Sequence, residues 1–499
     1  MNLTILCAIP FVGAVLAAFA PALGTRVVRT IALVAALATL VWAVHVLLEF
    51  HLHDGMQETV TKTWIGQLGV HWALGVDGLG ILMVLLTAVL VPIVMLAAWG
   101  DHSDHWFAWA LALESFALVV FCATDVFLFY VFFEATLIPA YFMIGSNGGP
   151  QRARSALKFL MYQLGGGLVL LGGVIGLYVL SSQHGTFPSY LTSDLAKLPI
   201  STADGRWLFV TFFVAFAVKA PIFPLHTWLA DTTEQATPAT SVLLVCVLDK
   251  IGTFGMIRYC LGLFPSASHW ATPVVVALAL VSIVYGAILA IGQDDLLRLI
   301  GLTSLSHFGF ITLGIFVLTS EGMTGSTLYM VNHGVATAAM FLAAGYLIKR
   351  KGTASISALG GLERSAPVLA GVFLVAGLAT AGLPGLSQFV SEILVLISAF
   401  DYHWWAGAIA VTAVVLAAVY ILWAYQRIFT GHARREGDGT IDLARAELAI
   451  LAPLIAALVV FGFYPSPLLK LANPTTATVL EHAVPATGWF AYAPLNGGK

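Results

Sequence analysis

Six ionisable residues, Glu134, Lys219, Lys250, His307, His333 and Glu392, stand in stretches that are otherwise almost free of charge. Carboxylates, amines and imidazoles in such surroundings are suited to exchanging protons. Burial disfavours the charged form of a side chain, whereas a nearby opposite charge restores it. A lysine whose partner moves away therefore changes its proton affinity, and a row of such groups can be driven to pass a proton along. The two histidines, whose ordinary titration lies near neutral pH, can relay between the lysines and Glu392.

The spacing of the six supports a row. Glu134 follows Asp125 by nine positions, Lys219 follows Arg206 by thirteen, Lys250 follows Pro238 by twelve, His307 follows Asp295 by twelve and His333 follows Glu321 by twelve, while Glu392 precedes Asp401 by nine. At about 1.5 Å per residue, the middle of a ~30 Å hydrocarbon layer lies about ten residues from a helix end. Six helices thus bring their ionisable residue to one level, parallel to the membrane plane. A charge at that depth costs roughly 2.5–3.5 kcal/mol on insertion scales, so pairing or neutralisation must relieve it.

Proline interrupts two of the helices that must position these groups. Pro221 cannot donate to the carbonyl of Ala217 and Pro224 cannot donate to that of Ala220, so the helix bearing Lys219 is broken beside its charge. Pro384, between Gly382 and Gly385, frees the carbonyl of Thr380 in the same way. Broken helices at membrane depth are tolerated where they are buried in protein or line a wet cavity.

The chain of 499 residues is 60% hydrophobic and 9% charged, with mean hydropathy +0.94, too few charges to cover a soluble globule of this size. It reads as an all-α polytopic membrane protein of about fourteen helices, near 2–23, 27–49, 78–100, 105–122, 125–146, 152–181, 206–229, 238–263, 270–292, 295–319, 322–349, 366–399, 402–430 and 444–464. The first is a span, since no positive region of a cleaved signal precedes it. The polar piece His51 to Asp77 is expected to form a small surface hairpin, and His432 to Asp442 and Asn473 to Lys499 to be exposed connections. The breaks fall in helices seven and twelve, five apart, so helices four to eight and nine to thirteen form two five-helix units of opposite orientation, the pattern of inverted-repeat ion transporters. The expected division is 1–104 for the first three helices, 105–265 and 266–431 for the two units, and 432–499 for the last loop, helix and tail.

With the N-terminus outside, fourteen basic residues from Arg26 to Arg445, Arg434 and Arg435 among them, lie at inner loops and helix ends. Six lie outside: Lys62, Lys197, Arg206, Arg258, Lys470 and Lys499. The asymmetry supports both termini on the outer side. A net charge of −3 without long charged runs gives no sign of nucleic-acid binding. Cys7, Cys122, Cys246 and Cys260 lie in separate apolar surroundings without a CxxC, which argues against iron–sulfur, zinc or disulfide frameworks.

Plainer readings stand beside the chemical one. Lys219 alone can be a fixed staple, but two lysines, two broken helices and a shared level disfavour a purely structural role. His307 and His333 can each be satisfied core histidines near Ser304, Ser306 and Asn332; haem ligation has no second pair to support it. Glu114 must face protein or water, with its role open. His226 can hold freed carbonyls or move protons, and Asp249 can partner Lys250, although adjacent residues on a helix point about 100° apart. Gly165, Gly166, Gly167, Gly172 and Gly173 suit close helix contact, and no strand precedes them to make a nucleotide loop.

Six motifs carry a resemblance over nearly the whole chain: DVFLFYVFFEATLIPAYFMIG around Glu134, AVKAPIFPLHTWL around Lys219, SVLLVCVLDKIGTFGMIRY around Lys250, SLSHFGF around His307, NHGVATAAMFLAAGYL around His333 and LPGLSQFVSEIL around Glu392. Together they resemble the antiporter-like membrane subunits of respiratory complex I, shared with multisubunit cation/proton antiporters and membrane-bound hydrogenases. The resemblance implies fourteen helices with two inverted five-helix units, a coupled pair of Glu134 and Lys219, and Lys250 as central relay. Glu392, where sister chains usually carry lysine, marks the chain M type. One departure is Ala230-Asp231-Thr232-Thr233 after HTWL, where the family commonly has Pro-Asp-Ala-His, which loosens the helix-ending signal there.

The function so implied is proton translocation within a proton-pumping NADH:quinone oxidoreductase, along Glu134, Lys219, Lys250, His307, His333 and Glu392. No redox cofactor is expected on this chain; FMN, iron–sulfur clusters and quinone belong to the rest of the complex. Expected partners are the other membrane subunits, with sister subunits on both sides, in the lipid of a bacterial inner (plasma) membrane. The alternatives are a subunit of a multisubunit sodium/proton antiporter, of a membrane-bound hydrogenase or formate-linked complex, or a structural scaffold.

Overall fold

In the computed structural model, which describes residues 2–184, 188–432 and 440–483, the apolar runs are helices. Lipid offers backbone N–H and C=O groups no partner, and a helix satisfies them within one segment. In chain order these are α1 (Asn2–Phe19), α2 (Thr25–Glu49), α3 (Gly78–Ala97), α4 (Asp104–Cys122), α5 (Val126–Ser146), α6 (Arg152–His184), α7a (Thr202–Lys219), α7b (Thr227–Gln235), α8 (Pro238–Leu261), α9 (Pro265–Ile291), α10 (Leu296–Phe316), α11 (Ser320–Lys351), α12a (Pro367–Thr380), α12b (Ser387–Tyr402), α13 (Trp404–Phe429), α14 (Arg445–Phe463) and α15 (Ser466–Ala483). Twelve are long and apolar enough to cross a membrane among the described residues. The seventh and twelfth expected spans come as two pieces each, divided at their prolines.

Local chemistry sets the ends. Asp77 caps α3 by accepting from Gly80 N–H at 2.9 Å, and its two oxygens take a bidentate pair from Arg258 of α8, each at 2.7 Å. Asp125 caps α5 through Phe127 and Leu128 N–H and also accepts from His71 N–H. This ties the expected hairpin, now seen as antiparallel strands β1 (Gln57–Ile65) and β2 (Val70–Val76), to the bundle. α11 starts at the Thr319 cap and stops at Gly352, whose left-handed backbone (φ 69°) follows Lys349, Arg350 and Lys351 in the last turn.

Burial orders the bundle. The most apolar 18-residue stretch is wholly buried in α8 and α10 and 89% buried in α11, against only 17% in α14 and 33% in α2. The helices bearing Lys250, His307 and His333 are therefore the innermost, and the outer ones leave large apolar side chains exposed.

Two expectations need correcting. The tail from Asn473 is not simply an exposed connection, because α15 runs to Ala483 and packs along α3 and α11. Leu468, Ala472 and Thr476 fall on one face at four-residue intervals and are buried there. Gly78 admits this close approach, its N–H donating to Thr475 Oγ1 at 2.9 Å. The cysteines are not all separate either, since α1 packs along α4 and brings Cys7 beside Cys122. Residues 433–439 of the loop and 484–499 of the tail, with Arg434, Arg435 and Lys499 of the charge asymmetry, lie outside the described residues.

Candidate functional site

Lys219 is the last residue of α7a and is fully buried. The helix stops there because Pro221 has no N–H for Ala217. The Ala217 carbonyl instead accepts from Ile222 N–H at 3.0 Å, and Trp228 Nε1 reaches back to the Val218 carbonyl at 3.1 Å. The freed backbone is thus satisfied inside the protein. The ammonium sits at the carbonyl end of the helix, where the dipole favours a cation. It donates to Thr136 Oγ1 at 3.1 Å and to the Phe133 carbonyl at 3.4 Å, 4.3 Å above the Phe133 ring. His226, at the start of α7b, packs against Phe223 and Tyr285 and offers no side-chain cap to that helix. α7b runs on through Ala230–Thr233 to Gln235, without the family's proline.

Glu134 is half-buried on α5, on the same stretch as both Lys219 acceptors. Its carboxylate lies against Gly167 of α6, where any Cβ would overlap Oε1, and that oxygen has no hydrogen-bond partner. Glu134 and Lys219 are electrostatic neighbours. The ammonium nevertheless takes neutral acceptors beside the carboxylate, so the pair the resemblance implies is adjacent but not hydrogen-bonded. Of the five α6 glycines expected to serve close contact, Gly166 meets Val218 and Gly173 meets Thr211 and Phe212 of α7a, whereas Gly165 and Gly172 face open space with nothing within 4 Å.

Lys250 and Asp249 follow a wide π turn at Leu244–Leu248, in which Asp249 N–H bonds the Leu244 carbonyl at 2.9 Å. Such turns recur at functional sites. Lys250 Nζ lies 2.7 Å from His333 Nδ1 and 4.3 Å over the Phe308 ring. Its hydrogen-bond partner is therefore a histidine of α11 and not the adjacent Asp249. The His307 ring of α10 stands 5.1 Å from that of His333, and Tyr329 6.0 Å beyond His307. Three buried groups on three helices thus follow one another.

At the second break, Gln388 Nε2 donates to the Thr380 carbonyl freed by Pro384, at 2.7 Å, and to Tyr329 Oη at 3.3 Å. His307 faces the same carbonyl. Glu392, 5% exposed, rests its carboxylate against Gly382, whose φ of 71° and lack of a Cβ are both required there. Tyr329 and Tyr420 are its electrostatic neighbours. Tyr329 and Gln388 bridge the interval between His307 and Glu392, and the sequence had not singled them out, because neutral side chains in an apolar run carry no anomaly. Glu114 stands apart on α4, 1% exposed, with neither oxygen partnered.

Beyond the row, Lys158 meets Asp231 at 2.6 Å, while Arg298 holds Asp231 and Glu234 at 2.7 Å each. These side chains line a polar cavity of about 400 Å³ with Gln151, Arg154, Ser155 and Gln235 beside α7b. Their sequence separations gave no signal of the cluster. What the buried groups offer is a series of nitrogen and oxygen bases shielded from bulk water, two of which, Lys250 and His333, lie at hydrogen-bond distance and can hand a proton across.

Residues 123–417 match the family described as NADH:quinone oxidoreductase/Mrp antiporter, TM. The chain is 44% identical to NADH-quinone oxidoreductase subunit M of Mycobacterium tuberculosis, over 97% of each. Its fold superposes on a chain of the respiratory complex I of Thermus thermophilus solved with bound NADH, with TM-score 0.89 and 32% identity over 97% of this chain and 100% of that one. A chain of the Mrp complex from Dietzia sp. DQ12-45-1b shares the fold with TM-score 0.86, at 22% identity over 96% of this chain and 97% of that one.

Proposed function

Because the chain belongs to the NADH:quinone oxidoreductase/Mrp antiporter transmembrane family, we propose that it works as a proton-translocating membrane subunit of a proton-pumping NADH:quinone oxidoreductase, of the subunit M kind. The observation that carries the reading is the Lys250–His333–His307 succession, three ionisable groups in contact inside the most buried helices of the bundle. A structural bundle gains nothing from a 2.7 Å contact between two proton-binding nitrogens that apolar side chains could replace.

In this reading the redox chemistry, with its FMN, iron–sulfur clusters and quinone, belongs to other subunits, and this chain holds no redox cofactor. Energy arrives through neighbouring membrane subunits, sister chains among them, as movement at the broken helices. When the Glu134 carboxylate turns towards Lys219 it favours the ammonium, and when it turns away Lys219 releases its proton. Lys250 and His333 share one proton between Nζ and Nδ1, and His307 and Glu392 carry it on. The path lies between two inverted units, 105–265 and 266–431, of a fourteen-span chain, flanked by 1–104 and 432–499, with both termini on the outer side of a bacterial plasma membrane.

The test is Lys219→Ala in the assembled complex. The expected outcome is normal assembly with fewer protons pumped per NADH oxidised. Full stoichiometry with normal assembly overturns the role. The sodium/proton antiporter reading has the shared fold of the Mrp complex on its side, and co-purification with NADH-oxidising subunits excludes it.

A further inference from the structure

Near both lysines of the row is a buried carboxylate that the path above does not use. Asp249 has no exposed surface, and neither Oδ1 nor Oδ2 has a hydrogen-bond partner. It is the electrostatic neighbour of both Lys250 and Lys219. Lys219 in turn senses Asp249 as well as Glu134. Helix packing puts it there: α8 closes onto the end of α7a so tightly that a Cβ at Gly252 would press on the Ala220 N–H and the Phe216 carbonyl. Asp249, at the end of the π turn Leu244–Leu248, lies one turn before Gly252, whose N–H bonds the Asp249 carbonyl at 3.1 Å. The other titratable neighbour from its own helix is Cys246.

A carboxylate without a hydrogen-bond donor is a costly thing to keep at membrane depth, and intramembrane ionisable residues of this kind mark ion pathways. Resting on the proton-translocating reading, we propose that Asp249 is the relay that carries the proton from Lys219 to Lys250. The Lys219 ammonium gives a proton to the Asp249 carboxylate, leaving a neutral amine and a carboxylic acid. The acid then gives that proton to neutral Lys250, whose ammonium passes it to His333, and Asp249 returns to carboxylate. One proton moves, and the charge of the relay is unchanged at the end. Because Asp249 bonds neither lysine directly, each transfer follows a side-chain rotation or passes over one water.

The experiment compares Asp249→Asn, Asp249→Glu and Lys250→Ala in the full complex in proteoliposomes, reading assembly, NADH-driven turnover and protons per electron. Asp249→Asn keeps the shape and removes the proton site. Its expected effect is assembly at the wild-type level with pumping slowed on the order of tenfold, below the ~10²–10⁴ that a positioned acid–base group supplies directly. Asp249→Glu is expected to restore most of the rate, which a packing role would not predict for the longer side chain. Wild-type pumping in Asp249→Asn with Lys250→Ala impaired overturns the relay alone. Wild-type pumping in both overturns the proton path as well. If Asp249→Asn fails to assemble, Asp249→Glu decides, since loss of assembly there too assigns Asp249 to structure.

Discussion

Lys250 on α8 and His333 on α11 meet nitrogen to nitrogen at 2.7 Å, across 83 positions of sequence, with no exposed surface on either. At that distance one hydrogen lies between them, and whichever nitrogen donates, the other must have a free lone pair. The pair therefore cannot be fully protonated while in contact, which makes it a gate on proton number.

His333→Ala removes the hydrogen-bond partner of Lys250 and leaves its Nζ over the Phe308 ring, with Asp249 as charged neighbour. Losing a buried hydrogen bond to a charged group costs roughly 1.5–3 kcal/mol. The expected outcome is a complex that assembles, with proton pumping reduced on the order of tenfold or more in proteoliposomes. His333→Gln, which keeps a hydrogen-bonding group but cannot relay by titration, is expected to recover stability and not pumping. Equal recovery of both would assign the contact to structure.

His102, in the turn between α3 and α4, supplies a pH dependence away from the membrane interior. Burial pushes its imidazole down from the usual 6.5 to about 4, and its Nε2 faces Thr237 Oγ1 at 2.8 Å. Between those values the unfolded chain binds a proton that the folded one does not, so stability falls as pH drops from about 6.5 towards 4 and is full above 6.5. At about 1.4 kcal/mol per pH unit over about 2.5 units, the loss reaches at most about 3.5 kcal/mol. Thermal unfolding of the detergent-solubilised complex across this range is expected to show the fall, and His102→Gln to flatten part of it.

Much of the scaffold was legible because lipid imposes a plain code. Runs of apolar residues gave the helices, and Pro221 and Pro384 gave the two divisions. The charges of Lys219, Lys250 and Glu392 stood out because their surroundings cannot solvate them. What stayed hidden is contact between helices. Nothing in the spacing tells that Lys250 bonds His333 and not Asp249, since the π turns of α8 shift which side each residue faces. Tyr329 and Gln388 were invisible for a different reason, as neutral side chains that matter only through what stands next to them. α15 was missed because its stripe of small and threonine side chains is weakly apolar, though regular.

Gly167 separates position from mere presence of the Glu134 carboxylate. The nearest atoms a Cβ at Gly167 would meet are those of the Glu134 carboxylate, the far end of a flexible side chain, whereas at Gly165, two residues earlier on α6, there is nothing within 4 Å. Alanine is the better helix former by about 1 kcal/mol, so Gly165→Ala is expected to be neutral or slightly stabilising, with unchanged pumping. Gly167→Ala gains the same propensity but must displace the carboxylate from its seat. If the seat sets how Glu134 approaches Lys219, the variant assembles as well as its neighbour yet pumps with altered stoichiometry or rate. Identical pumping in the two variants would mean that the path does not depend on where Glu134 rests.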